Sequence, residues 1–181
     1  MSRSAGMLAL LVLALGISPA AAQRDKTTQF AVKGILLAGG QAYVAEADAY
    51  FDINTSIGVG GSVDTRLAEK LYGGAFLDLL NVSALDETAL MFEGGVTIKA
   101  ALGGESGRPS FRPNIGFGYG TLSGVGGLAS SHYLTIRAGL EAVMSSGWVA
   151  EAMAWGAPTG GNSDVTITYG PMLQLRVGHL F

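Results

Sequence analysis

The chain has 181 residues, a formal net charge of −3 and no cysteine, so thiolate metal sites and disulfide bonds are excluded and no nucleic-acid-binding surface is expected. Only 14% of the residues are charged, the average hydropathy is positive, and 28 glycines argue against long helices, since each costs about 1 kcal/mol in a helix. A membrane-spanning helix needs about 18 or more consecutive apolar residues, and no run beyond the N-terminal segment approaches that length. The other structure that satisfies all its backbone hydrogen bonds in lipid is a closed β-barrel, so the composition favours a transmembrane β-barrel.

The N-terminal segment predicts a secretory signal peptide. Arg3 supplies the positive charge, residues 7–17 are apolar, and the small residues 20–22 form a cleavage site before Gln23. The apolar run is shorter than the about 20 residues that a spanning helix needs, which disfavours an uncleaved anchor. We therefore predict a signal peptide at 1–22 and a single exported domain at 23–181.

The rest of the chain divides into segments in which apolar and polar residues alternate, the pattern of strands with different surroundings on their two faces. Eight strands are predicted, at 29–38, 55–67, 71–81, 88–102, 110–120, 132–144, 148–156 and 165–181. The predicted inner turns are 68–70, 103–109 and 145–147, and the predicted external connections are 39–54, 82–87, 121–131 and 157–164. This arrangement predicts an all-β fold, an eight-stranded antiparallel up-and-down transmembrane β-barrel with short inner turns and longer external loops.

Two details of the strand assignment are left open. Alternation persists in the long first connection at Ala49, Phe51 and Ile53, which suggests that the flanking strands extend beyond the membrane there. Pro113 removes a ladder donor from the fifth predicted strand, so it indicates either a bulge or a wrong register.

The charged residues test the assignment of faces. Eleven of them lie on predicted strands, and all eleven fall on the inward faces: Lys33, Asp64, Arg66, Asp78, Glu93, Lys99, Arg112, Arg137, Glu141, Glu151 and Arg176. A lipid-facing Arg or Lys costs about 2–4 kcal/mol at the bilayer midplane, so this distribution is the one that a membrane requires. An eight-stranded barrel is just wide enough to be filled by side chains. We therefore predict a packed polar interior in which the charges pair, with inward glycines at 58, 60, 116, 118 and 120 leaving room for them.

Aromatic residues on the outward faces form two predicted bands. Phe30, Phe111, Trp148 and Phe181 lie at the inner strand ends, and Phe92, Tyr119 and Tyr169 lie toward the outer ends. Transmembrane barrels carry aromatic girdles at both membrane interfaces. A soluble lipocalin-like barrel, the alternative at the level of fold, would reverse the polarity and place the charges outside.

The last segment, 165–181, alternates to the end of the chain and closes on Phe181. It resembles the closing strand of bacterial outer-membrane barrels, and the whole of 23–181 is similar to the small OmpA-transmembrane, OmpX and OmpW kind. His179 departs from that pattern, because an apolar or aromatic residue is usual there. The resemblance implies a location in the bacterial outer membrane and contact with its lipid and lipopolysaccharide. We expect a monomer.

The predicted external loops carry acidic residues and no Lys or Arg: Glu46, Asp48, Asp52, Asp86, Glu87 and Asp164. They favour a structural or surface-interaction role, in which divalent cations or a cationic partner bind the loops. A solvated acidic rim is the simpler interpretation. A narrow channel for small solutes is the alternative function, and it would require the inward charges to separate.

An enzyme that modifies lipid A is a third hypothesis. Outer-membrane lipid A deacylases carry a His-x-Ser pair on the lipid-facing wall, but here His132 is followed two residues later by Leu134. We therefore predict no catalytic, cofactor-binding or metal-binding residues, and interpret His132 and His179 as interfacial residues. The segment Gly124-x-Gly126-x-x-Ala129 formally matches a dinucleotide-binding fingerprint, but it precedes a strand and is read as a loop.

Overall fold

The structure, a computed structural model, describes residues 27–84, 87–103, 108–123 and 130–181. The predicted signal peptide, Asp86 and the segment 124–129 lie outside the described residues. The strands are β1 (Thr28–Leu37), β2 (Gly40–Val44), β3 (Ala49–Ile53), β4 (Ser56–Ala68), β5 (Leu71–Ala84), β6 (Glu87–Ala100), β7 (Leu102–Gly103), β8 (Ser110–Leu122), β9 (Ser131–Val143), β10 (Trp148–Gly161) and β11 (Thr166–Leu180). In the described part of the chain no helix is long and apolar enough to cross a membrane.

The fold is a closed antiparallel barrel of eight long strands, as predicted. The order around the wall is β1, β4, β5, β6, β8, β9, β10 and β11, and each strand pairs with the next. The barrel closes where β1 pairs with β11, from Ala31↔Leu180 to Leu37↔Gln174. The backbones of Phe30 and Phe181 bond to each other beside this seam, at the end of the barrel called the inner end below.

The long connection predicted at 39–54 is mostly strand and extends the barrel wall at the opposite, outer end. Ala42 lies five positions after Leu37, and its partner Tyr169 lies five positions before Gln174, the partner of Leu37, so β2 continues β1 in the same register along β11. β2 also pairs with β3, which leads into β4. β1–β2 and β3–β4 therefore form one long hairpin, whose tip is the turn at 45–48. The suggestion that the flanking strands extend is correct.

Two other connections are shorter than predicted. β5 reaches Ala84 and β6 begins at Glu87, so most of the predicted loop 82–87 is strand. β10 reaches Gly161, well into the predicted loop 157–164. Both segments have a composition typical of loops. However, Val82 and Ala157 point inward and are buried inside the barrel, and this burial favours strand over loop.

Pro113 causes neither a bulge in β8 nor a wrong register. β8 pairs with β9 through Pro113↔Leu140 without a shift. The interruption lies on the other side, where β6 ends at Ala100 and β7 begins at Leu102. The missing donor of Pro113 thus coincides with a gap in the neighbouring strand, which agrees with the preference of proline for places where the ladder stops.

The interior is polar in the middle of the barrel and apolar at the outer end. The prediction of a polar interior is therefore confirmed for the middle and wrong for the outer end. The buried residues that fill the outer end, here called the outer apolar layer, are Ile35, Leu37, Ala42, Ile53, Leu80, Val82, Met91, Tyr133, Trp155, Ala157 and Met172. Phe51, Leu122, Ile167 and Tyr169 pack against them. A smaller apolar cluster, formed by Ala31, Val143, Val149 and Leu180, lies at the inner end.

The prediction that Tyr169 faces lipid is wrong. Its ring contacts the rings of Tyr133 and Trp155, at centroid distances of 5.9 and 6.0 Å, inside the outer apolar layer. Leu37 and Ala42 both face the lumen although they are an odd number of residues apart, so the inward face changes once between β1 and β2. Their partner strand β11 makes the same change at Gly170 and Pro171, which turns Tyr169 inward.

Candidate functional site

The predicted inward charges form one connected ionic network in the middle of the barrel. Ten of the eleven are buried, and Arg66 is partly buried at the inner end. The buried ten are five cations and five anions, joined by ion pairs: Lys33, Lys99, Arg112, Arg137, Arg176, Asp64, Asp78, Glu93, Glu141 and Glu151. A buried charge without a partner costs several kcal/mol, so an oppositely charged partner for each of the ten is what allows so many charges inside one small barrel.

The outer half of the network is centred on Arg137. Its guanidinium donates to Asp78 Oδ2 at 3.0 Å and to Glu93 Oε1, and its face lies 3.6 Å from the ring centroid of Phe76. Glu93 also accepts hydrogen bonds from Thr135 Oγ1 and, at 2.9 Å, from Trp155 Nε1. A planar guanidinium is suited to this arrangement, because its face stacks on an aromatic ring while its N–H groups donate to carboxylates at its edge.

The inner half of the network is centred on Glu141. Its Oε2 accepts from Lys33 Nζ at 2.8 Å and from Lys99 Nζ at 2.9 Å. Lys99 also donates to Asp64, and Lys33 to Glu151, each at 2.9 Å. Each ammonium therefore lies between two carboxylates, the geometry expected of a compact point charge with several donors.

Arg176 joins the two halves, because it pairs with Asp78 on one side and lies 3.8 Å from Glu151 on the other. Arg112 extends the network to the inner end, where it donates to Gln29 at 2.9 Å. Its guanidinium lies 4.5 Å from the centroid of the Tyr72 ring, and that of Arg66 lies 5.7 Å from the same ring. The prediction of a paired interior is confirmed for the middle of the barrel.

Inward glycines make room for these side chains, as predicted. A Cβ at Gly118 would lie 2.5 Å from Thr135 Oγ1 and 2.7 Å from Glu93 Oε1, and one at Gly116 would lie 2.9 Å from Arg137 Cγ. Gly60 makes the same room for Asp78. Gly58 and Gly120 instead accommodate Leu80 and Tyr133 of the outer apolar layer.

The outer surface of the barrel is apolar over its whole circumference. Large side chains that point away from the lumen are about half exposed on every side, among them Phe30, Ile57, Leu77, Ile98, Phe117, Leu140, Leu173 and Val177. An apolar exterior around a charged interior is the construction of outer-membrane barrels. The protein is therefore a transmembrane barrel of this type, and the bacterial outer membrane is its location.

At the outer end, the hairpin formed by β2 and β3 carries an ordered acidic and aromatic tip. Glu46 Oε2 accepts a hydrogen bond from the backbone N–H of Thr166 at 2.7 Å. Asp48 accepts from Tyr43 Oη at 2.9 Å, and the rings of Tyr43 and Tyr50 lie 4.9 Å apart. Tyr50 is 70% exposed, so this tip presents an aromatic face together with its carboxylates.

Two more of the predicted loop acids lie near the same end. Asp52 accepts from Gln41 Nε2 at 3.2 Å, and Asp164 accepts from Ser163 Oγ at 3.1 Å. The side chain of Glu87 is not among those described. The backbone hydrogen bond from Thr166 is the main cause that lowers the pKa of Glu46 below its ordinary value of 4.5. Within the described residues, no group of three or more His, Asp and Glu side chains could hold a metal ion.

The two histidines lie near opposite ends of the barrel. His132 is exposed on the outer face, and its Nδ1 is 2.9 Å from Tyr119 Oη. His179 lies at the inner end, with ring centroids 5.8 Å from Trp148 and 5.1 Å from Phe181. Aromatic and amphipathic rings of membrane proteins are enriched at the membrane interfaces, and the interpretation of both histidines as interfacial residues stays a prediction.

Sequence reasoning did not identify the outer apolar layer or the Tyr43–Tyr50 pair. The breaks in alternation at Pro158 and at Gly170–Pro171 are the signals that could have indicated a change of inward face. The tyrosine pair lies in the connection at 39–54, where partial alternation was visible.

No protein-family model and no curated protein matches this chain. Among solved structures it is similar to small outer-membrane barrels. The Ail attachment invasion locus protein of Yersinia pestis has 14% identity over 86% of this chain and 99% of that chain, with a TM-score of 0.49. The N-terminal β-barrel domain of Pseudomonas aeruginosa OprF has 13% identity over 84% and 97%, with a TM-score of 0.46. Neisserial surface protein A has 13% identity over 83% and 95%, with a TM-score of 0.45.

Proposed function

We propose that this protein is a monomeric outer-membrane barrel with a closed interior, and that it acts through its outer end as a surface-interaction protein without enzymatic activity. The observation that carries this proposal is the contrast between the two parts. The lumen is occupied by a paired ionic network below the outer apolar layer, whereas the outer hairpin presents carboxylates and an exposed aromatic pair.

The closed interior argues against the channel hypothesis. A path for ions would have to pass Leu37, Leu80, Trp155 and Met172, which are all buried in the outer apolar layer. It would also have to separate Arg137 from Asp78 and Glu93, which leaves buried charges unpaired. We therefore expect no steady conductance when the protein is inserted into a planar bilayer, and a steady single-channel current would contradict the closed interior.

The outer hairpin supports a cationic partner. Glu46, Asp48 and Asp52 lie on it, no Lys or Arg occurs between residues 39 and 54, and Tyr50 offers an exposed ring. Carboxylates attract a cation at long range, and an aromatic face binds it at short range. The hydrogen bonds that Glu46 accepts from the Thr166 N–H and Asp48 accepts from Tyr43 Oη restrain the tip, which lowers the entropy lost on binding.

The test is binding of oligolysine to the folded barrel in lipid nanodiscs, measured by calorimetry at low and physiological salt. We expect saturable binding that weakens with salt and is largely lost in an Asp48→Asn, Asp52→Asn variant. Glu69→Gln, which removes a charge from the inner turn, serves as the matched control and should bind as the unaltered protein does. Equal binding by the hairpin variant and the control would reject the hairpin as the interaction surface.

A further inference from the structure

The outward face of the outer hairpin, formed by β2 and β3, carries a pair of aromatic rings. Ala42 and Phe51 pack toward the lumen, so the neighbouring Tyr43 and Tyr50, which pair across the two strands, point outward. Their ring centroids lie 4.9 Å apart, and Tyr50 is 70% exposed. The pair is therefore an aromatic surface on the outside of the sheet, separate from the outer apolar layer.

Contact with the membrane does not account for this pair. The next outward pair toward the middle of the barrel is Gln41 and Asp52, whose side chains are joined by a hydrogen bond of 3.2 Å. A carboxylate on the outward face is disfavoured within the hydrocarbon, so Asp52 already lies outside it. Tyr43 and Tyr50 lie further from the middle of the barrel than Asp52 does. Their rings are therefore presented beyond the hydrocarbon layer.

Carboxylates flank the aromatic pair on two sides. Asp52 follows two residues after Tyr50 on the same face of β3, and Asp48 at the tip accepts from Tyr43 Oη at 2.9 Å. Both carboxylates are exposed, and an ionised carboxylate offers about four acceptor positions, so each can accept further hydrogen bonds. The segments 39–54 and 157–170, which form this side of the outer end, contain no Lys or Arg. The face is complementary to a cation that comes from a partner.

The ionic network inside the same barrel shows which cation suits a ring beside carboxylates. The guanidinium of Arg137 lies 3.6 Å from the ring centroid of Phe76 and donates to Asp78 at 3.0 Å. That of Arg112 lies 4.5 Å from the centroid of the Tyr72 ring. The two lysines of the network instead lie between pairs of carboxylates. A planar guanidinium combines stacking with hydrogen bonds at its edge, whereas an ammonium is a compact point charge.

We propose that the outward face of the outer hairpin binds an arginine side chain of a partner protein, with the guanidinium stacked on Tyr50 and its N–H groups directed to Asp48 and Asp52. The inference rests on the proposed function and names the partner, a segment rich in arginine rather than in lysine. The carboxylates attract either cation at long range. The ring of Tyr50 supplies the selectivity, because it favours the cation that can stack through its plane.

The experiment compares hexaarginine with hexalysine as ligands of the folded barrel in zwitterionic lipid nanodiscs, by calorimetry at physiological salt. Nanodiscs without protein provide the blank. The two peptides have the same length and charge, so the acidic loops attract them equally at long range. We expect hexaarginine to bind about 2- to 5-fold more tightly, the factor that one exposed cation–π contact supplies.

Variants of Tyr50 assign this preference to its ring. Tyr50→Leu should reduce the preference for hexaarginine by about the same factor while hexalysine still binds, because the carboxylates remain. Tyr50→Phe keeps the ring and should keep the preference. Tyr119→Leu is the matched control, since it removes a ring that is 54% exposed on β8, outside the hairpin. The heat-dependent mobility of each variant in SDS reports whether the barrel has folded.

Equal affinity of the unaltered protein for the two peptides would overturn the proposal. A preference that survives in Tyr50→Leu, or that is lost equally in Tyr119→Leu, would also overturn it. If hexalysine binds and the preference is missing, this inference alone fails. If neither peptide binds the folded barrel, the cationic partner of the proposed function is contradicted as well.

Discussion

The middle and the outer end of the lumen lie inside the same wall but are filled in opposite ways. In the middle, charged side chains pair in the ionic network, whereas at the outer end Leu80, Met91 and Trp155 pack as in a soluble core. A closed barrel requires only that inward charges be paired and that inward apolar side chains be packed. Paired charges and close-packed hydrocarbon both meet that requirement. The membrane therefore constrains only the outward residues of the barrel. The inward residues can be charged in one part of the lumen and apolar in another.

The two regions should respond differently to the loss of one side chain. In the ionic network a removed partner leaves buried charge behind, whereas in the outer apolar layer a removed side chain leaves a cavity. The first effect is electrostatic and depends on what remains, and the second depends on how far the neighbours can close the gap.

The largest effect is expected for Arg137→Met. The substitution leaves Asp78 and Glu93 with fewer partners in a fully buried position, so the free energy of unfolding should fall by about 3–5 kcal/mol. Equilibrium unfolding in urea with lipid vesicles measures it. Lys70 is an exposed cation in the inner turn, so Lys70→Met is the control and should change stability little. Similar losses in the free energy of unfolding for both variants would mean that the buried ion pairs contribute no more to stability than an exposed charge does.

A cavity in the outer apolar layer should come next. Leu80→Ala is expected to lower the free energy of unfolding by about 2–5 kcal/mol, since Leu80 is 0% exposed and packed on all sides. Leu79→Ala on the same strand is the matched control, because Leu79 faces lipid and is 43% exposed. Both variants lose the transfer free energy of the side chain, but lipid can refill the space left at position 79. A loss at Leu79 as large as that at Leu80 would contradict a packed outer layer.

A smaller loss is expected when a glycine beneath the network is filled. A Cβ at Gly118 would press on Thr135, Glu93 and Phe76, so Gly118→Ala should cost about 1–3 kcal/mol. Gly34→Ala is its control, because the nearest atom to that Cβ would be Val177 O at 3.7 Å. The same urea titration measures both. If the two alanines were tolerated equally well, the network would have more free space than the structure shows.

The smallest effect concerns pH at the outer hairpin. The folded pKa of Glu46 lies below its ordinary value of 4.5, so its stabilising contribution is present above that value and is lost as the pH falls through the folded pKa. The protection of the Thr166 amide against hydrogen exchange, corrected for the intrinsic rate, should therefore decrease at acid pH. In Glu46→Gln protection should be lower at neutral pH and nearly independent of pH. Glu69→Gln should behave like the unaltered protein, and a Glu46→Gln variant that keeps the full pH response would assign it to another group.

The sequence predicted the barrel well because its signal is local. Most strands in the middle of the wall contrast charged or small inward residues with large outward ones, as at Asp78 and Leu79, and β10, whose outward residues are alanines, is the exception. Alternation with a period of two assigns each residue of a strand to the inward or the outward face, and it does so without reference to the rest of the chain. The same reasoning fails at the outer end, where Leu79 and Leu80 are both apolar although they face lipid and lumen. There the period-two signal disappears, and a change of inward face passes unnoticed.

The sequence by itself thus determined the inside-out polarity, the eight long strands, the closing strand at the C-terminus and the inward position of eleven charges. The tertiary structure decided which charges pair, since Lys33 and Glu141 are 108 residues apart and meet only when the barrel closes. It also decided that Tyr169 lies inside and that β2 and β3 extend the wall. These features depend on register between distant strands, which the alternation within one strand does not encode.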